Sequence, residues 1–488
     1  MMTDEGYAIC PINKVMAADS YKYTHPHLYV KGSKNMFDYA EARSVKIYEK
    51  TLFNGLKPLL KMFATPITKR EVDEAEICAM FHGIEFYREG WNVILNKYNG
   101  LLPITVRAVK EGSLIPNGNP LYSIELTEDD DKVYWVVSWL ETILMKVWYT
   151  CNIGTRSFYV KKMLIEMGRI TDENPFVDYQ YHNFGDRGSP FMEAASIGGA
   201  SHLMLFKGTD SFHSLKYIVN TYNLKIEDIA NLAHSIDASE HSTITSWGRD
   251  GELAFVLNFL EKNKRKAIIA CVGDSYDIFE FTDFVTKGEF KEKIESSDYP
   301  TFVIRPDSGD AVDVINMMLN IMEKNGVAYT VNKKGYKVFN KYRIIWGDGI
   351  NMETMRDILS HLILRKYSTQ NMAFGSGGWL MQQHDRDTLG FAIKCSEITL
   401  ADGETRYVFK DPITAPGKKS KKGRVTTYLN KETNEYFCDI MGKFQDDENI
   451  VDVLEVVFVN GVLVDDENFF DIRDRAQTFL EQEIKDLD

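Results

Sequence analysis

Short apolar runs alternate with helix-length segments between residues 179 and 378, and each run ends in glycine or polar residues. Strands that alternate with helices in this way predict a parallel sheet. Asp274, Asp307, Asp348 and Ser376 are separated by 33, 41 and 28 residues, close to the length of one strand–helix–strand unit. The seven run ends are NFGDRG (183–188), FKGTD (206–210), SIDASEH (235–241), GDSYD (273–277), RPDSG (305–309), WGDG (346–349) and FGSGG (374–378).

A parallel sheet with this period predicts a (β/α) barrel, which we place at residues 171–395. In such a barrel the carboxyl ends of the strands meet at one rim, where the polar run ends would converge. Turns that are merely rich in Gly and Asp are the alternative. We favour a functional rim, because plain turns do not require Arg, His and Asp at seven consecutive strand ends.

The flanking segments, 1–170 and 396–488, mix helical and strand patterns. VLEVVFVNGVLV (453–464) reads as a hairpin, since Asn460-Gly461 suits a type I′ turn, and an amphipathic helix follows from about residue 470. Neither flank is long enough to bury a core by itself. We therefore predict that both flanks form one mixed α+β domain, which gives an α/β fold with two domains.

The chain has 488 residues, of which 44% are hydrophobic and 26% charged, and this composition is that of a globular protein with a large core. A single core seldom supports this length, which agrees with two structural units. The formal net charge of −14 argues against general binding to nucleic acid backbones. Any anionic ligand must therefore meet locally concentrated cations.

Early acidic residues and the lack of an apolar segment in MMTDEGYAIC argue against a secretory signal, so we expect a cytoplasmic protein. The most apolar stretch, 134–149, is too short for a membrane span and predicts a buried helix. The six cysteines show neither a CxxC pair nor metal-ligand spacing. Free thiols in a reducing compartment are the simplest interpretation.

Two segments could hold phosphate groups. FGSGG follows an apolar strand and precedes a helix, so its backbone N–H groups could bind a phosphate together with Arg386 and Lys394. GKKSKKGR (417–424) concentrates cations in one glycine-flanked loop, which could cover a pyrophosphate or triphosphate. A solvated loop without a ligand is the alternative for the second segment.

Carboxylates end three of the predicted strands, at Asp274, Asp307 and Asp348. Such groups could hold ribose hydroxyls and stabilise a cationic sugar, while Mg²⁺, Arg and Lys stabilise a departing pyrophosphate. Capping of a helix is a structural alternative for Asp307. His241 lies at another strand end, and Phe184 offers a ring for stacking. The residues alone indicate a barrel enzyme that acts on a phosphorylated sugar and an aromatic base.

A set of short strings resembles the nicotinamide phosphoribosyltransferases, a type II phosphoribosyltransferase family, in order and spacing over nearly the whole chain. These strings are ADSYKYTH (18–25), FKGTD, EHSTITSWG (240–248), DSYDI (274–278), RPDSG, GDG, AFGSGG (373–378), FKDP (409–412) and SKKGR (420–424). The resemblance implies transfer of phosphoribosyl from phosphoribosyl pyrophosphate to nicotinamide, giving nicotinamide mononucleotide for NAD salvage. It also implies an irregular (β/α) barrel plus a domain built from both chain ends, in a head-to-tail homodimer with two shared active sites.

The resemblance assigns roles to individual residues. Nicotinamide would stack between Phe184 and the Tyr21 of the second subunit, with Asp19 nearby, Asp210 at its amide nitrogen and Arg305 at its carbonyl. The residues for the ribose and its 5′-phosphate would be Asp307, Gly347, Asp348, Gly377, Gly378 and Arg386. Those around the pyrophosphate or ATP would be Arg43, Arg187, His241, Lys394 and Lys418.

The resemblance also implies a role for ATP, and Mg²⁺ is expected from the pyrophosphate chemistry. ATP would phosphorylate His241 and so couple its hydrolysis to product formation, with Asp274 orienting the imidazole. Asp274 and Asp307 are the expected Mg²⁺ ligands. The catalytic set is therefore His241, Asp274, Asp307 and Arg305.

Three residues depart from the family pattern. Ala270 stands where a small hydroxyl residue is usual behind the nicotinamide pocket, and Asn183 and Asp186 differ around the stacking ring. Nicotinate phosphoribosyltransferase and a non-catalytic nucleotide-binding homologue remain as alternative functions. A barrel glycosidase fits poorly, since it has little use for so many phosphate-binding cations.

Overall fold

The structure is a computed structural model that describes residues 13–414, 419–464 and 467–485. Its strands are β1 (Ser33–Glu41), β2 (Lys50–Leu52), β3 (Ile104–Ala108), β4 (Leu114–Pro116), β5 (Pro120–Leu126), β6 (Tyr181–Asn183), β7 (Gly208–Thr209), β8 (Asp237–Ala238), β9 (Ile268–Val272), β10 (Thr301–Arg305), β11 (Tyr329–Val331), β12 (Lys337–Phe339), β13 (Tyr342–Trp346), β14 (Met372–Ser376), β15 (Ala392–Leu400), β16 (Thr405–Tyr407), β17 (Val425–Asn430), β18 (Glu435–Ile440), β19 (Ile450–Asp452), β20 (Glu455–Val459) and β21 (Val462–Leu463).

The α-helices are α1 (Leu56–Lys61), α2 (Lys69–His82), α3 (Arg88–Lys97), α4 (Val136–Trp139), α5 (Glu141–Leu144), α6 (Val147–Thr171), α7 (Met192–His202), α8 (Phe212–Thr221), α9 (Ile229–Leu232), α10 (His241–Thr245), α11 (Glu252–Lys262), α12 (Ile278–Val285), α13 (Gly288–Glu295), α14 (Ala311–Lys324), α15 (Met352–Leu364), α16 (Gly378–Met381) and α17 (Phe469–Lys485). Short 3₁₀ helices occur at Lys14–Met16, Ser20–His27, Ile226–Asp228, Arg249–Gly251 and Thr369–Asn371.

The chain divides into two compact units. Of the described residues, those up to Thr155 and those in Asn220–Leu224 and His384–Phe479 form one unit, and those in Arg156–Val219, in Lys225–Gln383 and from Leu480 onwards form the other. The first division falls within α6, whereas the sequence predicts boundaries at residues 170 and 395. Segments before and after the barrel sheet along the chain both contribute to the first unit, which is the mixed α+β unit of the predicted fold class.

The second unit contains a parallel sheet with the strand order β7-β6-β14-β13-β10-β9-β8. Each of the seven predicted run ends lies at the end of one of these strands, which confirms the predicted strand–helix repeat. Neighbours in the sheet are also neighbours along the chain, with two exceptions: β6 pairs with β14, the last strand of the sheet along the chain, and the β11–β12 hairpin lies between β10 and β13. This is the strand order expected when successive strands lie side by side around a closed barrel.

Backbone hydrogen bonds curl the sheet so that its two edges meet. The N–H of Thr209, in β7, donates to the carbonyl of His234 at 3.3 Å, and the N–H of His234 donates to the carbonyl of Lys207 at 2.8 Å. His234 lies three residues before β8, the strand at the other edge. The bridge confirms an irregular barrel, in which the carboxyl ends of the strands face the same rim.

Helices with one buried face cover the outside of the ring. In α14, Val314, Ile315, Met318, Leu319 and Met322 are all buried, which is the spacing of one helical face. Polar residues just after the strands start these helices: Asp277 caps α12, Asp310 caps α14 and Asn351 caps α15 through side-chain oxygens. Asp307 is therefore not the capping residue of α14.

The first unit contains an antiparallel sheet with the order β16-β15-β1-β5-β3-β20-β21, together with a β18-β17-β19 sheet. Val459 pairs with Val462, and Asn460 and Gly461 have φ values of 49° and 85°. These angles confirm the predicted type I′ hairpin, which needs positive φ at both central residues. The predicted C-terminal helix is α17.

The apolar stretch 134–149 is buried, but it does not form the single helix that the sequence predicts. It forms α4 and α5, each four residues long, before α6 begins at Val147. None of the helices in the described ranges combines the length and apolar character that crossing a bilayer requires. Cys78, Cys151, Cys271, Cys395 and Cys438 are free thiols, and Cys10 lies outside the described residues.

Candidate active site

The interior of the barrel carries an apolar layer just below the rim. Ala270, Val303 and Ile345, from three adjacent strands, form one buried cluster, against which Phe184, Ile268 and Ala373 pack. Side chains alternate between the two faces of a strand, so the residues two positions further on share this interior face. Arg305 and Gly347 follow Val303 and Ile345 by two residues, which places them at the rim above the layer.

Phe184 is positioned by β14 and by two glycines. Its N–H donates to the carbonyl of Ser376 at 2.9 Å, which continues the pairing of β6 with β14. A Cβ atom at Gly375 would lie only 1.9 Å from Cε2 of Phe184, and one at Gly347 would lie 3.6 Å away. The ring therefore lies against bare backbone at residue 375, and only glycine leaves it room there.

Asp210 follows β7 and lies in a polar group next to this ring. Its Oδ1 atom accepts hydrogen bonds from Nε2 of His182 at 2.8 Å and from Oγ of Ser235 at 2.6 Å. Burial raises the pKa of the Asp210 carboxyl, but His182, Ser235 and the charge of Arg305 outweigh burial and bring the pKa below its usual value. Asp210 is therefore ionised at neutral pH.

His241 and Asp274 form a second polar group. Nε2 of His241, the first residue of α10, lies 2.9 Å from Oδ1 of Asp274. The other carboxylate oxygen accepts from Oγ of Ser308 at 2.7 Å and from the N–H of Asp307 at 3.1 Å. Burial raises the pKa of Asp274, yet these hydrogen bonds lower it below the usual value. An ionised Asp274 accepts a hydrogen bond from the Nε2–H of His241, so in the neutral imidazole Nδ1 carries the lone pair.

Asp307 and Arg305 connect the two polar groups. Burial raises the pKa of Asp307, and the negative charges of Asp274 and Asp348 raise it further, against the opposite effect of Arg305 and His241. Three carboxylates thus lie close enough to repel one another, which favours a cationic ligand. The Nε atom of Arg305 is buried, and no atom of the described residues accepts a hydrogen bond from it.

The turn after β6 contacts the turn after β14. A Cβ atom at Gly185 would lie 3.1 Å from the carbonyl oxygen of Gly377, and one at Gly188 would lie 3.4 Å from the nitrogen of Gly378. Oδ1 of Asn183 accepts from the N–H of Gly185 at 2.8 Å, so this departure from the family pattern stabilises the turn that follows Phe184.

The structure also accounts for the two other departures from the family pattern, Asp186 and Ala270. Asp186 accepts from Oγ of Ser211 at 2.6 Å and lies 3.1 Å from Nδ1 of His213, so it ties the turn after β6 to the start of α8. Ala270 belongs to the apolar layer and offers no hydroxyl there. Arg187 is exposed, and its guanidinium has no hydrogen bond to any residue in the described part of the chain.

The structure thus brings together, in the barrel unit, the predicted residues Phe184, Asp210, His241, Asp274, Arg305, Asp307, Gly347, Asp348, Gly377 and Gly378. Asp19, Tyr21, Arg43, Arg386 and Lys394 belong to the first unit. Lys418 lies outside the described residues. The roles assigned to all of these residues stay predictions.

Within the first unit, two of the predicted phosphate-binding cations lie near each other. Burial lowers the pKa of Lys394, and the positive charges of Arg43 and Lys410 lower it further, against the raising effect of Glu141 and Asp38. The guanidinium of Arg386 instead contacts the Asp387 carboxylate at 3.0 Å. Tyr21 is 55% exposed, and Oδ2 of Asp19 accepts from Oγ1 of Thr142 at 3.1 Å.

Most described cations of the loop 417–424 already have partners within the first unit. Lys419 contacts Asp411 at 2.7 Å, Lys421 pairs with Glu41, and Arg424 pairs with Glu125. The ammonium of Lys422 lies 5.2 Å from the centre of the Phe409 ring. These pairs favour a structural role for Lys421 and Arg424 over a mobile cationic cover.

A dedicated metal cage does not occur among residues 13–414, 419–464 and 467–485, where no group of three or more His, Cys, Asp or Glu could hold an ion. A magnesium ion that is also bound by phosphates needs only one or two carboxylates. Asp307 fits this requirement better than Asp274, because the oxygens of Asp274 already accept three hydrogen bonds.

Sequence reasoning missed three residues of the site, which are His182, Ser235 and Gly375. The sequence could have indicated His182, since it precedes Phe184 by two residues and its side chain therefore lies on the same face of the chain. Ser235 and Gly375 belong to the predicted run ends, but their partners depend on pairing between distant strands.

Comparison with known proteins identifies the family. The family model of the nicotinate phosphoribosyltransferase (NAPRTase) family matches residues 179–462, and that of the nicotinamide phosphoribosyltransferase N-terminal domain matches residues 13–106. A nicotinamide phosphoribosyltransferase of Xanthomonas campestris pv. campestris is 39% identical over 459 residues, which cover 93% of this chain and 95% of that protein. One of Mycoplasma genitalium is 28% identical, with coverages of 85% and 96%.

Solved structures agree at the level of the fold. Nicotinate-nucleotide pyrophosphorylase from Pyrococcus furiosus superposes with a TM-score of 0.62 at 15% identity, covering 98% of this chain and 99% of that one. Human nicotinic acid phosphoribosyltransferase gives a TM-score of 0.55 at 14% identity, with coverages of 95% and 93%. The chain therefore belongs to the nicotinate phosphoribosyltransferase family and is an enzyme of its nicotinamide phosphoribosyltransferase branch.

Proposed function

We propose that this enzyme transfers phosphoribosyl from phosphoribosyl pyrophosphate to nicotinamide, giving nicotinamide mononucleotide and pyrophosphate for NAD salvage. The observation that carries the proposal is the ionised carboxylate of Asp210, which is hydrogen-bonded to His182, whose ring centre lies 5.1 Å from that of Phe184. A carboxylate accepts hydrogen bonds and does not donate them, so it matches an amide and repels an acid. Phe184 supplies the flat apolar surface for a pyridine ring.

The transfer needs stabilisation of charge more than proton transfer. The pyridine nitrogen attacks C1 of the ribose with its lone pair, the C1–O bond to pyrophosphate breaks, and pyrophosphate leaves with both electrons. Positive charge grows on the sugar, where Asp307 and Asp348 would hold the hydroxyls and stabilise it. Arg305 has an unused buried N–H with which to contact the amide carbonyl. The turn at Gly377 and Gly378 would bind the 5′-phosphate.

ATP stimulation is proposed through His241. Nδ1 would attack the γ-phosphorus of ATP, the bond to ADP would break, and the phosphate would remain on the imidazole. The hydrogen bond from Nε2 to the ionised Asp274 supports this step, because it orients the ring and stabilises its growing positive charge. The side chain of His241 is 46% exposed, which supports access for a nucleotide.

Mg²⁺ is proposed as a partner of the phosphates. When bound, the ion would neutralise pyrophosphate as it departs, and Asp307 would be its protein ligand. We also propose a homodimer, in which Asp19, Tyr21, Arg43, Arg386, Lys394 and Lys418 complete the nicotinamide and phosphate sites, several of them in the neighbouring subunit. A cytoplasmic location suits an enzyme with free thiols.

The proposed function predicts the outcome of a competition assay. Purified enzyme, supplied with phosphoribosyl pyrophosphate and Mg²⁺, should convert labelled nicotinamide in preference to equimolar nicotinate, and faster when ATP is present. The products are separated by chromatography. A preference for nicotinate would support nicotinate phosphoribosyltransferase instead, and binding without product would support a non-catalytic homologue.

Changing Asp210 should narrow the preference of the enzyme for nicotinamide over nicotinate. In Asp210→Asn or Asp210→Ser, the ratio of kcat/KM for nicotinamide to that for nicotinate should fall about tenfold or more, because like charges in contact cost up to several kcal/mol and about 1.4 kcal/mol is a factor of ten. Steady-state kinetics with both substrates give the ratio. An unchanged ratio would remove Asp210 from the specificity site.

Changing His241 should uncouple the enzyme from ATP. His241→Ala is expected to abolish stimulation by ATP while leaving some basal transfer, because the alanine has no nitrogen to accept the phosphate. Rates with and without ATP are compared in wild type and variant, with the exposed His213→Ala as a control that should keep the stimulation. Equal stimulation in His241→Ala and wild type would contradict the coupling role.

A further inference from the structure

The two oxygens of Asp210 have different surroundings. Oδ1 accepts from Nε2 of His182 and from Oγ of Ser235, at 2.8 and 2.6 Å. Oδ2 has no hydrogen bond to any residue of the part of the chain that the structure describes. Two donors on one oxygen fix the plane of the carboxylate and leave the other oxygen for a ligand.

His182 is itself held firmly in place. Its side chain is only 12% exposed, and its ring centre lies 5.1 Å from that of Phe184. His182 pairs with Gly208 in the parallel β6–β7 ladder, and a Cβ atom at Gly208 would lie 2.6 Å from Nδ1 of the ring. The imidazole thus fills the space that a side chain at residue 208 would take, with Phe184 beside it.

The hydrogen bond also requires a proton on Nε2 of His182. An ionised carboxylate only accepts hydrogen bonds, so Nε2 carries a proton and donates it to Oδ1. Hydrogen bonds to a charged group are stronger than those between neutral groups, and they favour the charged form. Among the residues that the structure describes, the titratable or charged groups with the largest effect on the Asp210 carboxyl are His182 and Arg305, and both favour its ionised form.

We propose that His182, together with Ser235, is the positioning residue that makes Asp210 select an amide over an acid. The inference rests on the proposed function, since it concerns the choice of substrate at the same site. With Oδ1 held by His182 and Ser235, Oδ2 faces the substituent of the pyridine as an acceptor only. The N–H of nicotinamide can donate to it, whereas the carboxylate of nicotinate meets a like charge.

The arrangement explains why Asp210 alone would discriminate less well. A carboxylate without donors in a half-buried site takes up a proton more readily, and a protonated Asp210 could donate to the carboxylate of nicotinate. A freely rotating carboxylate could also turn away from the acid. His182 removes both routes, because it stabilises the charge and fixes the orientation.

The experiment compares His182→Leu, which removes the donor, with His182→Gln, which keeps an N–H at about the same reach. The ratio of kcat/KM for nicotinamide to that for nicotinate should fall about tenfold or more in His182→Leu, as expected for a lost hydrogen bond to a charged group. In His182→Gln the ratio should stay within about threefold of wild type. In an Asp210→Asn background, His182→Leu should change the ratio no further.

The pH profile separates positioning from a general structural role. Loss of the His182 donor raises the pKa of Asp210, so the acidic limb of kcat/KM for nicotinamide should move to higher pH in His182→Leu and much less in His182→Gln. A variant that had only loosened the fold would lose activity without moving this limb. Circular dichroism and thermal unfolding check that each variant is folded.

Gly208→Ala supplies an independent variant, should His182→Leu fail to fold. Its backbone is not in the left-handed region, so alanine is tolerated there, and its methyl group would displace the imidazole without touching Asp210 directly. The ratio of kcat/KM for nicotinamide to that for nicotinate should again fall. An unchanged ratio in both His182→Leu and Gly208→Ala, or an equal fall in the Asp210→Asn background, would overturn the proposal.

Calorimetry of nicotinamide and of nicotinate binding to the same variants measures the selectivity as a ratio of two affinities, without turnover. Wild-type enzyme that forms no nicotinamide mononucleotide would contradict the proposed function. The binding ratio would still decide the role of His182: a fall in His182→Leu with retention in His182→Gln supports it, and equal ratios in all three proteins overturn it.

Discussion

The register between β6 and β14 is the constraint on which the rest of the site depends. Gly375 pairs with His182 in this parallel ladder, and the N–H of Phe184 extends it by donating to Ser376. Side chains alternate along a strand, so a slip of one residue would turn His182 and Phe184 out of the barrel. The same pairing places Phe184 against the bare backbone of Gly375, where a methyl group would overlap it.

The charge at the rim of the barrel has the same sign as the net charge of the chain. The net charge is −14, and the rim of the barrel concentrates it further at Asp274, Asp307 and Asp348. Arg305 and His241 only partly offset these carboxylates, as the raised pKa of Asp307 shows. Such a rim suits a ligand whose sugar becomes cationic during the reaction, while the phosphate groups need the cations that the sequence places elsewhere in the chain.

The sequence predicted the fold class and the strand ends well, because alternating strands and helices leave a strong local pattern. It also predicted the type I′ turn at Asn460-Gly461, whose chemistry is local. The broken helix at 134–149 was not predicted, because periodicity alone does not locate breaks inside a buried apolar segment. His182 and Gly375 were missed as a pair for another reason: their roles depend on contacts between strands almost 200 residues apart, which no local pattern encodes.

The central claim is that the pairing of distant strands presents one oxygen of Asp210 to a pyridine amide stacked on Phe184. The crystal structure of the enzyme with nicotinamide measures this directly. We predict that the ring lies on Phe184 and that the amide nitrogen is about 3 Å from Oδ2 of Asp210, with Oδ1 still held by His182. A nicotinamide bound outside the barrel interior, or with its amide nitrogen turned away from Asp210, would contradict the account.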